Sequence, residues 1–167
     1  MFNIDDIVTY GINGVCKIVD IEEKDIIGTK KFCLVLKPVN NDRTTYYVPV
    51  DNEKQLGKLH KILSEEEINK IIDSASKEET LWIDNEKQRK EYYKKIISES
   101  NHSELIKILR AIHSEKTERE SKGKKLHMAD ERFLKDAEKI LFEEFGYVLN
   151  LSESDVIAYI VSKIEKS

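Results

Sequence analysis

Turn-forming residues are unevenly distributed along this chain, and that limits what it can fold into. Four of the six glycines (Gly11, Gly14, Gly28, Gly57) and both prolines (Pro38, Pro49) lie in the first 57 residues. About a hundred residues with almost no turn chemistry follow. Glycine supplies positive φ for tight turns, and proline lacks the N–H that a helix interior or central strand needs. This asymmetry predicts an α+β chain of two domains. A small β module spans 1–60 and a helical module spans 61–167, which includes a polar linker around 77–84.

The β module reads as short strands with turns between them. Ile7–Tyr10 is rich in β-formers, and Gly11-Ile12-Asn13-Gly14 carries an Asn-Gly reversal signal. From Val15 to Glu23 the residues alternate, with Val15, Lys17, Val19 and Ile21 on one face and Cys16, Ile18 and Asp20 on the other. Apolar groups on both faces fit a small closed barrel. Lys24 to Gly28 turns the chain, Phe32–Lys37 is an apolar run stopped by Pro38, and Asn40–Arg43 is a polar turn. Thr44–Val48 is β-branched and aromatic, and Pro49 at its end marks an edge strand. Four or five short strands predict an SH3-like or Tudor-like barrel whose open edge can accept a partner strand. The Tyr46–Pro49 aromatics serve either as barrel wall or as exposed edge.

In the helical module, Ser64 with Glu67 forms a capping box ahead of Ile68, Ile71 and Ile72. Asn85 to Ser98 is a charged helix with Tyr92, Tyr93, Ile96 and Ile97 as its apolar side. Asn101 and Glu104 mark a second cap before Leu105, Ile108, Leu109 and Ile112. Ser114 to Lys125 reads as a solvated helix end plus connection. Asp130 opens the strongest helix, carrying Phe133, Leu134, Ala137, Ile140, Leu141 and Phe145, with Gly146 ending or kinking it. Ser152 and Asp155 start a last helix with Val156, Ile157, Ile160, Val161 and Ile164. Four to five short amphipathic helices predict a compact bundle.

Charge and composition exclude several functions. Lys and Arg number 28 against 32 Asp and Glu, a net charge of −4, so any DNA contact must be local. Residues 1–60 hold eight bases and nine acids, the remainder twenty and twenty-three, so neither part is a basic patch. The start, MFNIDDIVTYG, lacks a basic n-region, and no apolar run approaches the ~20 residues of a membrane span. A reduced, cytoplasmic setting is expected. No phosphate loop, metal-ligand spacing or catalytic constellation is present, so no enzyme, cofactor, metal or small-molecule substrate is expected. His60, His102, His113 and His127 sit among charged residues, as surface or capping groups do. Cys16 and Cys33 lie on predicted neighbouring strands and can approach one another. Small buried hydrophobic residues are their ordinary role and a redox pair the rarer one. Glu86/Lys90 and Glu91/Lys95 are ordinary i,i+4 helix pairs.

The single tryptophan, Trp82, flanked by Leu81 and Ile83 in an otherwise polar linker, is the remaining oddity. Two readings stand. As a staple it packs the linker onto the bundle; as a contact residue it is largely exposed.

Over nearly its whole length the chain resembles the CarD/CdnL family of bacterial transcription regulators. The resemblance rests on Ile4–Gly11 with Gly14, on Gly28, on Leu34–Lys37, on Val48-Pro49 with Asn52, and on Trp82. It continues from Lys124-Lys125-Leu126 to Leu141 with Ala137-Glu138. Lysine- and isoleucine-rich variants of this kind look like those of low-GC bacteria. The resemblance implies a Tudor-like barrel that binds the β subunit of RNA polymerase. It also implies a helical domain that touches promoter DNA at the upstream edge of the melted bubble, where a tryptophan wedges into the minor groove. A similar barrel occurs in the transcription-repair coupling factor. By position, Lys24, Tyr47 and Pro49 are the polymerase-facing candidates, with Tyr47 standing where an arginine is common. Trp82 is the wedge candidate, and Lys87, Arg89, Lys90 and Lys94 the DNA-facing ones. Lys87, Lys90 and Lys94 share a helix face.

Where relatives place an asparagine or serine and two arginines after the tryptophan, this chain has Ile83-Asp84-Asn85-Glu86. Two carboxylates there oppose DNA approach, so a weak contact made only within the polymerase complex is expected. The protein is expected to be a monomer, nucleoid-associated through polymerase. The alternative is a polymerase-binding protein that ignores DNA, with Trp82 structural.

Overall fold

The computed structural model describes residues 1–41, 43–80 and 82–165, apart from the side chains of 164 and 165. Asp42 of the polar turn, Leu81 beside Trp82, and the Ile164 side chain therefore lie outside the described residues. The chain is α+β, an antiparallel five-stranded sheet followed by helices, and it divides into two compact units, Met1–Ile62 and Leu63 onward. No helix among the described residues is long and apolar enough to cross a membrane.

The first unit contains β1 (Ile7–Tyr10), β2 (Val15–Ile26), β3 (Thr29–Pro38), β4 (Tyr46–Pro49), a single-turn helix α1 (Glu53–Leu56) and β5 (Leu59–Lys61). The sheet order is β4-β3-β2-β1-β5, so β4 is an edge, as Pro49 requires. The Asn13-Gly14 reversal is a 3-10 turn over Gly11–Asn13 closed by Gly14 at φ 85. Its core is Val8, Cys16, Ile18, Leu34, Leu36, Val48 and Leu59, all from one side of the sheet.

The expected burial of both faces of β2 holds only at Val15. An extra residue, Val19, enters β2 between Ile18 and Asp20, so Ile18 pairs with Leu36 while Ile21, not Asp20, returns to that face opposite Leu34. A bulge of this kind reverses the alternation beyond it. Val19 and Ile21 are nonetheless both exposed. The cysteines do not meet either. Cys16 lies opposite Pro38 and Cys33 opposite Glu22, about 16 Å apart along β3, and neither forms a disulfide. Burial pushes the Cys33 thiol above its ordinary pKa, which disfavours the reactive thiolate.

The second unit, among the described residues, is built from α2 (Glu65–Lys77), α3 (Glu86–Glu99), α4 (His102–Ser121), α5 (Met128–Leu149) and α6 (Glu153–Glu165). The Ser64/Glu67 capping box is complete, and Asn85 and Asn101 cap α3 and α4 through side-chain oxygens. The stretch from Ser114 is helical to Ser121, and Gly123 at φ 69 makes the turn. Gly146 does not end α5. The helix continues to Leu149 and stops at Asn150, left-handed at φ 55, whose N–H bonds the Gly146 carbonyl. His102 is not a surface group. It pairs with the buried Glu144, whose other oxygen accepts the Leu63 N–H at 3.0 Å.

Two stability measurements check this description. An ideal Cβ on Gly146 would lie 2.9 Å from the Leu151 carbonyl oxygen. Gly146→Ala should therefore lose about 1–3 kcal/mol, despite the better helix propensity of alanine. Ile27 and Gly28 both have positive φ, 49 and 78, in the two-residue turn between β2 and β3. A type I′ turn suits Asn-Gly, and a β-branched residue there is strained. Ile27 is fully exposed, so Ile27→Asn removes the strain with no packing loss and should raise stability by about 1 kcal/mol in denaturant melts.

Candidate functional site

Pairing registers place the three sheet candidates on one face, the one opposite the core. Tyr47 is opposite Val35, Pro49 opposite Cys33, Cys33 opposite Glu22, and Lys31 opposite Lys24. Paired residues project to the same side and every second residue shares it. Within this row, the Lys24 ammonium sits 4.7 Å from the centre of the Tyr47 ring. Glu22 binds the same ammonium at 3.3 Å and raises its pKa above the ordinary lysine value. Lys31 pairs with Asp51 at 3.2 Å. The result is an aromatic ring, 45% exposed, backed by a fixed cation on an edge strand.

The two tyrosines divide the two readings of this strand between them. Tyr46 turns inward, its ring edge-on to Tyr10 at 5.6 Å, and is barrel wall. Tyr47 turns outward. Pro49 is buried, so its contribution is not a side-chain contact. The Val50 N–H bonds the Phe32 carbonyl, and by alternation the backbone groups of Tyr47 and Pro49 point away from β3. Proline's missing N–H therefore falls on the open edge and costs no ladder bond. It leaves the Tyr47 N–H as the donor on that side.

In the second unit, Trp82 meets neither extreme expectation. It is half-buried and packs against the helical core. Arginines hold the segment around it at both ends. Arg110 of α4 donates from Nη1 to the carbonyls of Ala75 and Glu78, at 2.8 and 3.0 Å, which fixes the exit from α2. Arg89 of α3 donates from Nη1 to the carbonyls of Ile83 and Asp84, at 2.8 and 3.4 Å. Its Nε and Nη2 each reach an Asp130 oxygen at 2.8 Å, and its guanidinium carbon lies 4.4 Å from the Trp82 ring centre.

This removes Arg89 from the DNA-facing set. Its side chain and that of Asp130 are 2% and 1% exposed, so the guanidinium is not available to a phosphate. The signal was present in the spacing. Arg89, Tyr93 and Ile96 fall at i, i+4 and i+7 on the buried face of α3, and Asp130 shares the face of Phe133, Leu134 and Ala137. An arginine and an aspartate each on a core face call for one another, and Asp130 was missed as more than a helix start. Tyr93 lies in the same layer, its phenol pushed up to about 12, chiefly by burial and then by Asp130. Lys87 and Lys94 are exposed, whereas Lys90 is half-covered and bound to Glu86 at 3.0 Å, the helix pair expected there. The Glu91/Lys95 pair is not formed among the described residues. Asp84 and Glu86 are exposed beside Trp82.

Comparison with curated proteins gives no significant match. Residues 2–63 match the family model described as the CarD-like/TRCF RID domain, a Tudor-like fold, and these limits coincide with the first unit. The exposed edge strand with its Lys24–Tyr47 pair thus lies inside that domain, and the match over these residues supports a CarD-like family member.

Proposed function

We propose that this protein is a transcription regulator that binds the β subunit of RNA polymerase through its N-terminal domain and stabilises the promoter open complex through Trp82. The domain family implies a polymerase partner. The observation that carries the reading is the Lys24–Tyr47 pair on the open edge β4, within the matched residues. An incoming strand would find the Tyr47 N–H and carbonyl for main-chain bonds and the ring and ammonium for side-chain contact. Burial of Pro49 assigns it the shaping of that edge.

The helical unit would work at low intrinsic affinity. Net charge −4, with Asp84 and Glu86 beside Trp82, gives little attraction to duplex DNA. Tethering to polymerase brings the ring to the bubble edge at a millimolar effective concentration. Lys87 and Lys94, both exposed, would meet a phosphate. Preferential binding to melted DNA then shifts the population toward the open state by that difference in affinity. A second reading, polymerase binding with Trp82 purely structural, is favoured by one observation, the half-burial of that ring against the core.

Tyr47→Ala and Lys24→Glu should each weaken binding to polymerase by about tenfold, with the thermal midpoint nearly unchanged, because both side chains are on the surface. Equal binding by wild type and both variants would remove this edge as the contact. The full chain should show no measurable binding to duplex promoter DNA at physiological salt without polymerase. Trp82→Ala should shorten open-complex lifetime; the second reading instead expects an unchanged lifetime and a folding loss of about 3–5 kcal/mol.

A further inference from the structure

We propose that Arg89 and Asp130 are positioning residues. Their buried ion pair holds the Trp82 ring and the two backbone carbonyls after it in one arrangement. This deepens the DNA contact proposed above and rests on it.

The geometry of one guanidinium carries the inference. Three of its nitrogens make in-plane bonds, Nε and Nη2 to the Asp130 carboxylate and Nη1 to the Ile83 and Asp84 carbonyls. With the plane committed, the flat face remains for stacking, and the Trp82 ring lies there. The same group thus fixes the ring and the two backbone carbonyls that follow it. Lysine has no such fork and could not hold carboxylate, carbonyls and ring at once. Asp130 is 41 positions away and belongs to α5. Without it Arg89 would be a buried charge lacking its partner, and the guanidinium would have to turn toward water and release the ring.

The test uses the full chain carrying Arg89→Leu/Asp130→Leu, which removes both charges together so that no lone charge stays buried. Arg89→Lys serves as the second variant, keeping the charge but not the fork. Trp82 is the only indole, so iodide quenching and emission anisotropy of the free protein report its positioning directly. In folded variants, quenching should rise, anisotropy fall and emission shift to the red. Open-complex lifetime should drop to that of Trp82→Ala. If both folded variants retain wild-type quenching and anisotropy, the positioning role is overturned. If the indole is freed but Trp82→Ala and both variants keep the wild-type lifetime, the DNA contact itself fails while the positioning role stands.

Discussion

The second unit is organised around one buried charge pair. Removing a carboxylate and a guanidinium from water costs several kcal/mol per ion, and only near-complete hydrogen bonding offsets it. Arg89 and Asp130 meet that requirement with two bonds at 2.8 Å, and Arg89 adds two backbone carbonyls. The pair joins α3 to α5 and draws in the chain between α2 and α3. A polar linker that would otherwise have little reason to hold one shape is thereby part of the core's hydrogen-bonding system. Glu144 does the same for the start of the unit, taking the Leu63 N–H and the His102 ring.

The first unit follows a different logic, set by edges and register. Its core needs only seven buried side chains from one side of the sheet, none of them from β2 beyond the bulge at Val19. Beyond the bulge β2 and β3 continue as an arm with Ile21, Phe32 and Ile27 exposed. On the opposite face the polar row of Glu22, Lys24 and Lys31 neutralises itself in pairs and leaves Tyr47 as its main apolar feature.

Much of this was legible in the sequence where local chemistry dominates. The capping box at Ser64, the cap at Asn101, and the edge strand announced by Pro49 depend on residues within a few positions of one another. What escaped depended on distance. The bulge at Val19 is a competition between two strands that no alternation in one strand reveals. Arg89 looked like one more cation in a charged helix because its partner is 41 positions away. Gly146 looked like a stop signal, yet it is a gap that lets the chain after α5 return within 2.9 Å of where a Cβ would be. Period two places Tyr46 and Tyr47 on opposite faces, but which of them turns outward required the sheet itself. That Lys24 would lie over the Tyr47 ring required the register across three strands.

The placement of β5 bears on how the chain acquires its fold. Val8, Thr9 and Tyr10 pair with Lys61, His60 and Leu59, so the sheet's first strand is completed by its last. Closing a loop of that size costs entropy before any contact compensates for it, and non-local pairing of this kind slows folding. A ribosome adds residues in order, at about 5–20 per second. The β2–β3 hairpin can form as soon as Pro38 emerges, whereas β1 keeps an open edge until Lys61 has left the exit tunnel. The β4 edge and the chain-closing edge therefore mature at different times, and the sheet is complete only when the following helices have begun to be made.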